Sequence, residues 1–253
     1  MYFLLHLKQE QSILQQGPLT PPKDWMNFDN YVRAFTEGNM LKGFLNTAII
    51  LAAAIIGSTL TGSMIAYVLN RFKFKGSALL MGAFLLATLI PAVTTQVATF
   101  QIISFLGVFN TRWAAILLYL GTDIIAVYIF VQFMQNISNS LDESAMLDGA
   151  SYWDIYTRII YTRIILPLLK PAIVTVIIIK GVNVYNDFYT PFLYMPKTSL
   201  HVISTALFKF KGPYGSEWEV ICAGVMIAII PTLIAFVTLQ KHIYNGITSG
   251  SVK

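Results

Sequence analysis

The residues best placed to do chemistry lie in a polar interruption, Asn136 to Pro171, of an otherwise apolar chain. Asp142 and Glu143 stand together there. Their carboxylates suit the first turn of a short helix, where negative charge meets the positive end of the dipole. Gly149 follows and suits a turn that reverses the chain. Beyond it, aromatic and apolar residues alternate with basic ones as far as Pro167. Such an amphipathic helix–turn–helix offers recognition rather than bond-making. It fits a docking element for a partner protein, and equally a helix lying on lipid headgroups.

Sets of residues for catalysis are missing. No Gly-x-x-x-x-Gly-Lys-Ser/Thr phosphate loop occurs, and no His-Glu-x-x-His or matched nucleophile–base pair lies in the apolar stretches. His6, His201 and His242 fall in separate regions, which argues against a metal site, and no cofactor motif is present. Cys222, the single cysteine, sits in the apolar run Ile221–Ile230 and reads as a small core hydrophobe. What remains are polar groups inside apolar segments. Asp123 is costly at membrane depth unless it is paired or faces water. It is either a residue of a solute path or a group bonded to a neighbouring helix, and Lys180 is a candidate partner. Asn183 and Asn186, with Asp187 beside them, offer groups of the kind that hydrogen-bond sugar hydroxyls.

The elements that must position these groups are membrane helices. The 253 residues are 56% hydrophobic and 11% charged, against roughly 25% charged in a soluble domain. Spanning the hydrocarbon takes about 20 mainly apolar residues as a helix, because every backbone polar group must be bonded within its segment. Five segments qualify: Phe44–Leu69, one starting near Ala78 with Pro91 late in it, Trp113–Phe133, Ala172–Tyr189, and Val220–Leu239 with Pro231 inside. Gly57, Ser58, Gly62 and Ser63 give the first a small-residue face suited to helix–helix contact. Pro91 should kink or end the second. Met1–Leu7 reads as the tail of a further span whose beginning is missing, in preference to a short juxtamembrane anchor. The expected fold is therefore all-α, a polytopic helical bundle of five full transmembrane helices plus a truncated N-terminal sixth. The net charge of +5 is spread over short loops, which fits membrane flanks rather than nucleic acid. Basic residues divide evenly between the two sides, and only the dense cluster Arg71, Lys73 and Lys75 marks its side as cytoplasmic.

At this point the chain resembles a known family. Glu143-Ser144-Ala145, Asp148-Gly149-Ala150 and Ile164-Ile165-Leu166-Pro167 resemble the EAA loop of ABC importer permeases. Asn30-Tyr31, Phe44-x-Asn46 and Ile90-Pro91 are similar to the corresponding parts of carbohydrate permeases. So is Asn186-Asp187-Phe188 with Pro191, where Tyr185 replaces a tryptophan. The stretch from Trp218 through Pro231, Gln240, Gly246 and Gly250–Lys253 resembles the close of the shorter permease of maltose-type systems. Two departures stand out. Ser144 occupies an alanine position, and both are small. Tyr156-Thr157-Arg158-Ile159-Ile160 is repeated as Tyr161-Thr162-Arg163-Ile164-Ile165. Five extra helical residues turn the following face by about 140° and add about 7.5 Å, which would misalign the loop with the fourth span unless the extra turn is looped out.

The resemblance implies a type I ABC importer permease fold, with residues 1–43 forming the truncated span and an extracytoplasmic segment, and 44–253 the permease domain with its coupling loop at 136–171. It implies a multi-pass protein of the bacterial cytoplasmic membrane that moves a sugar or oligosaccharide by alternating access. Glu143, Ser144, Ala145, Asp148, Gly149 and Ala150 would couple it to an ATP-binding-cassette ATPase dimer. Its other partners would be a second permease subunit, an extracytoplasmic solute-binding protein and the lipid bilayer. Asp123, Asn183, Asn186 and Asp187 would lie along the solute path. The subunit itself would be no enzyme. Another polar solute such as glycerol phosphate, or a non-transport membrane scaffold, are the alternative readings.

Overall fold

The computed structural model describes Leu7 and residues 28–249 apart from 73, 122, 152–164 and 213–214. The expected truncated span at Met1–Leu7 lies outside the described residues except for Leu7. So does the tandem repeat Tyr156–Ile165, except for Ile165.

The described chain is helical. A short helix α1 (Asp29–Glu37) precedes α2 (Met40–Arg71). At 1.5 Å per residue α2 is about 48 Å long, against about 30 Å of hydrocarbon. It contains the expected first span and extends past it at both ends. The second span is broken where Pro91 predicts: α3 (Ser77–Thr88) stops, α4 (Ala92–Phe105) begins, and the two are bent by 100°. Proline has no N–H to continue the ladder, and it pushes the preceding residue out of helical conformation.

The third span holds a break that hydropathy does not reveal. Instead of one helix there are α5 (Arg112–Leu120) and α6 (Ile124–Met134). Asp123 is extended at this point, and its Oδ1 accepts the Ala126 N–H at 3.1 Å, so it caps the second half. The coupling-loop helix α7 (Ser140–Leu147) follows. After a short turn at Leu166–Leu168 comes α8 (Lys170–Asn186), which has 17 residues and ends before Asp187. The Asp187 carboxylate accepts the Thr190 N–H at 3.1 Å and starts a small helix, α9 (Tyr189–Tyr194). The last long helix, α10 (Trp218–Ser249), runs through Pro231. The Tyr185 hydroxyl donates to the Ala228 carbonyl at 2.6 Å, three residues before that proline. Side chains of neighbouring helices satisfy backbone near intramembrane prolines in this way.

Among the described residues three helical stretches are long and apolar enough to cross a membrane: 40–71, 112–134 and 218–238. The bent pair makes a fourth if it is one span. The expected span at Ala172–Tyr189 corresponds to α8, whose 17 residues end at Asn186.

The chain divides into two compact units. One comprises residues up to 51, 103–115 and 182–238; the other comprises 52–102, 116–181 and those from 239 on. In the first, Ala34, Met40, Ile203, Phe210, Val220 and Ala223 form the core. A buried polar clasp sits beside it. Asn46 donates to the carbonyls of Ser199 (3.2 Å) and His201 (2.8 Å) and accepts from Arg112 Nε at 2.9 Å. In the second, Tyr67, Phe130, Met134, Ile165, Leu169 and Val176 are central. There the small-residue face of α2 lets a neighbour approach closely. A Cβ on Gly57 would come within 1.7 Å of Leu120, and one on Gly62 within 3.2 Å of Ala126.

Candidate coupling site

Helix α7 is only eight residues long; a serine side chain bonds at its start and backbone bonds close its end. Isolated helices this short do not persist in water, so packing must hold it. Before it, Ser138 Oγ accepts the Ser140 N–H at 3.2 Å. Asp142 and Glu143 occupy its first turn. At its end Gly149 adopts φ +87°, the Ala150 N–H bonds to the Ala145 carbonyl at 3.0 Å, and the Gly149 N–H bonds to that of Met146 at 3.0 Å. This double closure requires a left-handed residue, which glycine adopts without penalty.

The helix has two faces. Ala145, Met146 and Ala150 pack on the core around Tyr67, Phe130 and Ile165. Glu143, Ser144, Asp148 and Gly149 are exposed, and so is Leu147, at 89%. The predicted residues thus split by role: two alanines seat the helix, and the remainder form an outward surface with one bare leucine. Ser144 stands on the outward face, where its hydroxyl bonds to the Ser140 carbonyl at 2.7 Å, so serine is accommodated without disturbing the seat.

Sequence placed Asp142 in the first turn of this helix but did not show its burial or its partner, Arg71. Asp142 is buried, on the seated face with Ala145 and Met146. Its Oδ2 pairs with Arg71 Nε at 2.9 Å, with the two side chains only 10% and 5% exposed. The Arg71 guanidinium also donates to the carbonyls of Ile137 (3.0 Å) and Ser138 (3.3 Å) and to Asn139 Oδ1. Sequence reading used Arg71 only as an orientation marker. The signal that could have found the pair is helical spacing. Residues 142, 145 and 146 share one face, so a carboxylate there is buried with the alanines and needs a cation.

Burial raises the Asp142 pKa above its ordinary value; Arg71 and the Tyr67 hydroxyl pull it down less strongly, and Glu143 adds to the rise. With the folded value above the unfolded one, the native state holds the proton longer. Asp142's contribution to stability is then full below the unfolded pKa and is lost as pH rises through the folded pKa. Against Asp142→Asn, which does not titrate, wild-type melting temperature should fall relatively as pH rises from the normal aspartate range upward. A difference independent of pH in detergent-solubilised protein would contradict this.

The candidate solute-path residues lie elsewhere. In the second unit, Asp123 Oδ2 meets Lys180 Nζ at 3.0 Å, with the side chains 14% and 15% exposed, so the partner suggested by sequence is the one found. The Lys180 ammonium also lies 6.0 Å from the Tyr119 ring centroid. In the first unit, Asn183 and Asn186 are exposed, and the Asn186 amide donates to Val182 O at 2.9 Å. Asp187 is taken up locally: its carboxylate caps α9, and its carbonyl accepts Ser204 Oγ at 2.7 Å.

Comparison with known proteins shows the family. Residues 53–248 match the family described as binding-protein-dependent transport system inner membrane component. The chain is 32% identical to the probable starch degradation products transport system permease protein AmyC of Thermoanaerobacterium thermosulfurigenes, over 93% of this chain and 84% of that protein. It is 32% identical to the galactooligosaccharides transport system permease protein GanQ of Bacillus subtilis, over 89% and 80%. It is 31% identical to the probable ABC transporter permease protein YurM of the same organism, over 92% and 75%. Among solved structures, a bacterial ABC transporter involved in the import of the acidic polysaccharide alginate shares the fold at a TM-score of 0.76 and 18% identity, covering 95% of this chain and 88% of that one. The chain belongs to the family of binding-protein-dependent transport inner membrane components, as a multi-pass ABC transporter permease.

Proposed function

We propose that this permease imports a sugar or oligosaccharide, and that helix α7 is the surface on which a separate ATPase docks. The observation that carries the coupling role is the outward face of α7, where Glu143, Ser144, Leu147 and Asp148 are free of the chain's own core. The sugar assignment is supported by relatives named for starch degradation products and galactooligosaccharides. With no phosphate-binding loop in the sequence, ATP is hydrolysed on the partner. On this reading residues 44–253 form the transport domain and 136–171 face the cytoplasm. A second permease and an extracytoplasmic binding protein complete the path. Asn183, Asn186 and Asp187 offer polar groups to the solute, and Asp123 contributes to the path while held by Lys180.

The test is uptake. Cells lacking this chain should lose import of an oligosaccharide, regain it on complementation, and keep glycerol phosphate uptake unchanged. The purified chain alone should hydrolyse no ATP. Loss of glycerol phosphate uptake instead would overturn the sugar assignment, and hydrolysis by the lone chain would overturn the division of labour.

A further inference from the structure

We infer that Arg71 is a positioning residue that carries the movement of α7 into the first span; the inference rests on α7 being the ATPase-docking helix. Arg71 is the last residue of α2, a 32-residue helix. Its guanidinium grips two places at once. It donates to the carbonyls of Ile137 and Ser138 and to Asn139 on the approach to α7, and it pairs with Asp142 inside the first turn. A guanidinium can do this because its donors are set in a rigid planar fork, which an ammonium lacks. Its ion pair with Asp142 is almost wholly buried, while the bonds to Ser138 and Asn139 are exposed. Buried ion pairs are weak sources of stability, since desolvation offsets their attraction. What the pair does fix is geometry: α7 cannot shift relative to the end of α2 without breaking it.

The covalent route from α7 toward the fourth span runs through residues 152–164, which carry most of the five-residue repeat. The Arg71 route avoids that segment. It leads into a helix whose small face is in close contact with Leu120, Ala126 and Phe130 of the third span. Movement imposed on α7 therefore reaches the first span through the Arg71 grip, in addition to the third span through the short connection from Met134 to Ser140.

The test uses the whole transporter reconstituted in liposomes with its ATPase, second permease and binding protein. Arg71→Gln strands the Asp142 charge, so Arg71→Gln/Asp142→Asn serves as the variant that keeps the fold. Both should retain the ATPase on purification, while solute moved per ATP hydrolysed falls by about tenfold or more. Arg71→Lys should recover part of that ratio, because it restores the charge but not the fork. An unchanged ratio in the double variant would sink the inference, as would loss of the ATPase from a double variant that is otherwise well folded. If the wild-type chain recruits no ATPase, the docking reading of α7 fails and takes this inference with it. Wild-type coupling with an unaffected double variant removes the inference alone.

Discussion

Gly149→Val should lower solute uptake by at least about tenfold, with Gly149→Asn the mildest replacement and Gly149→Ala between them. The order follows from the backbone. An L-residue in the left-handed region costs about 1–2 kcal/mol, asparagine less, and a β-branched residue most. Each 1.4 kcal/mol is about a factor of ten in a population. At φ +87° no replacement escapes that cost. If the residue abandons the conformation, the bonds from Gly149 to Met146 and from Ala150 to Ala145 go with it. The end of α7 then frays, and Ala150 leaves its seat. Space is not the issue within this chain, since a Cβ at Gly149 meets nothing within 4 Å. That separates two effects. Co-purification of the ATPase that falls further with alanine than with asparagine is what backbone strain predicts. If asparagine, the bulkier residue, is the worse, the partner packs on this spot and sterics dominate. Wild-type uptake in the valine variant would show that the turn does not matter to transport.

Lys180→Met should be the most damaging change to stability. It leaves the Asp123 carboxylate buried beside an apolar side chain, and removing one partner of a buried pair costs about 3–5 kcal/mol. Asp123→Asn should be milder. Asparagine retains an oxygen able to cap Ala126, and a lysine can extend its stem toward a polar boundary. Asp123→Asn/Lys180→Met removes both charges and should recover most of the melting temperature lost in Lys180→Met. Exchanging the charges should recover less, because lysine at 123 restores attraction but cannot accept the Ala126 N–H. Thermal stability of the monodisperse protein in detergent reads all four. A double neutral variant no better than Lys180→Met would mean the pair is not the source of the loss.

These two sites differ in how far sequence exposed them. The α7 turn was legible because glycine at the end of a short helix has one strong conformational meaning. The Asp123–Lys180 pair was legible because two charges in apolar spans have few other partners. The break at Asp123 was not. Both flanks are apolar, so a hydropathy window averages across it, and the aspartate reads as a charge inside a helix rather than as the cap that starts one. Pro91, by contrast, announced its break because proline lacks the N–H that continues a helix, although Pro231 stays inside α10. Arg71 stayed hidden because charge counting treats all basic residues at a helix end alike. Only its reach to Asp142 sets it apart. The amides of the proposed path also illustrate a limit of residue type: Asn186 offers what a sugar needs, yet its N–H is bonded to its own helix.

The interleaving of the two compact units bears on how the protein is made. The unit that begins before residue 51 is closed only by 182–238, and the unit that begins at 52 draws in 116–181. A ribosome adding about 5–20 residues per second takes roughly 10–40 s to pass from the first segment to the last. During that interval α2 is already in the bilayer while Ile203, Val220 and Ala223, which form a core with Met40, are still unsynthesised. A nascent chain stalled before α10 already holds every residue of the core around Tyr67, Phe130 and Val176, while the core around Met40 still lacks Val220 and Ala223, so it carries one core ready to close and one left open.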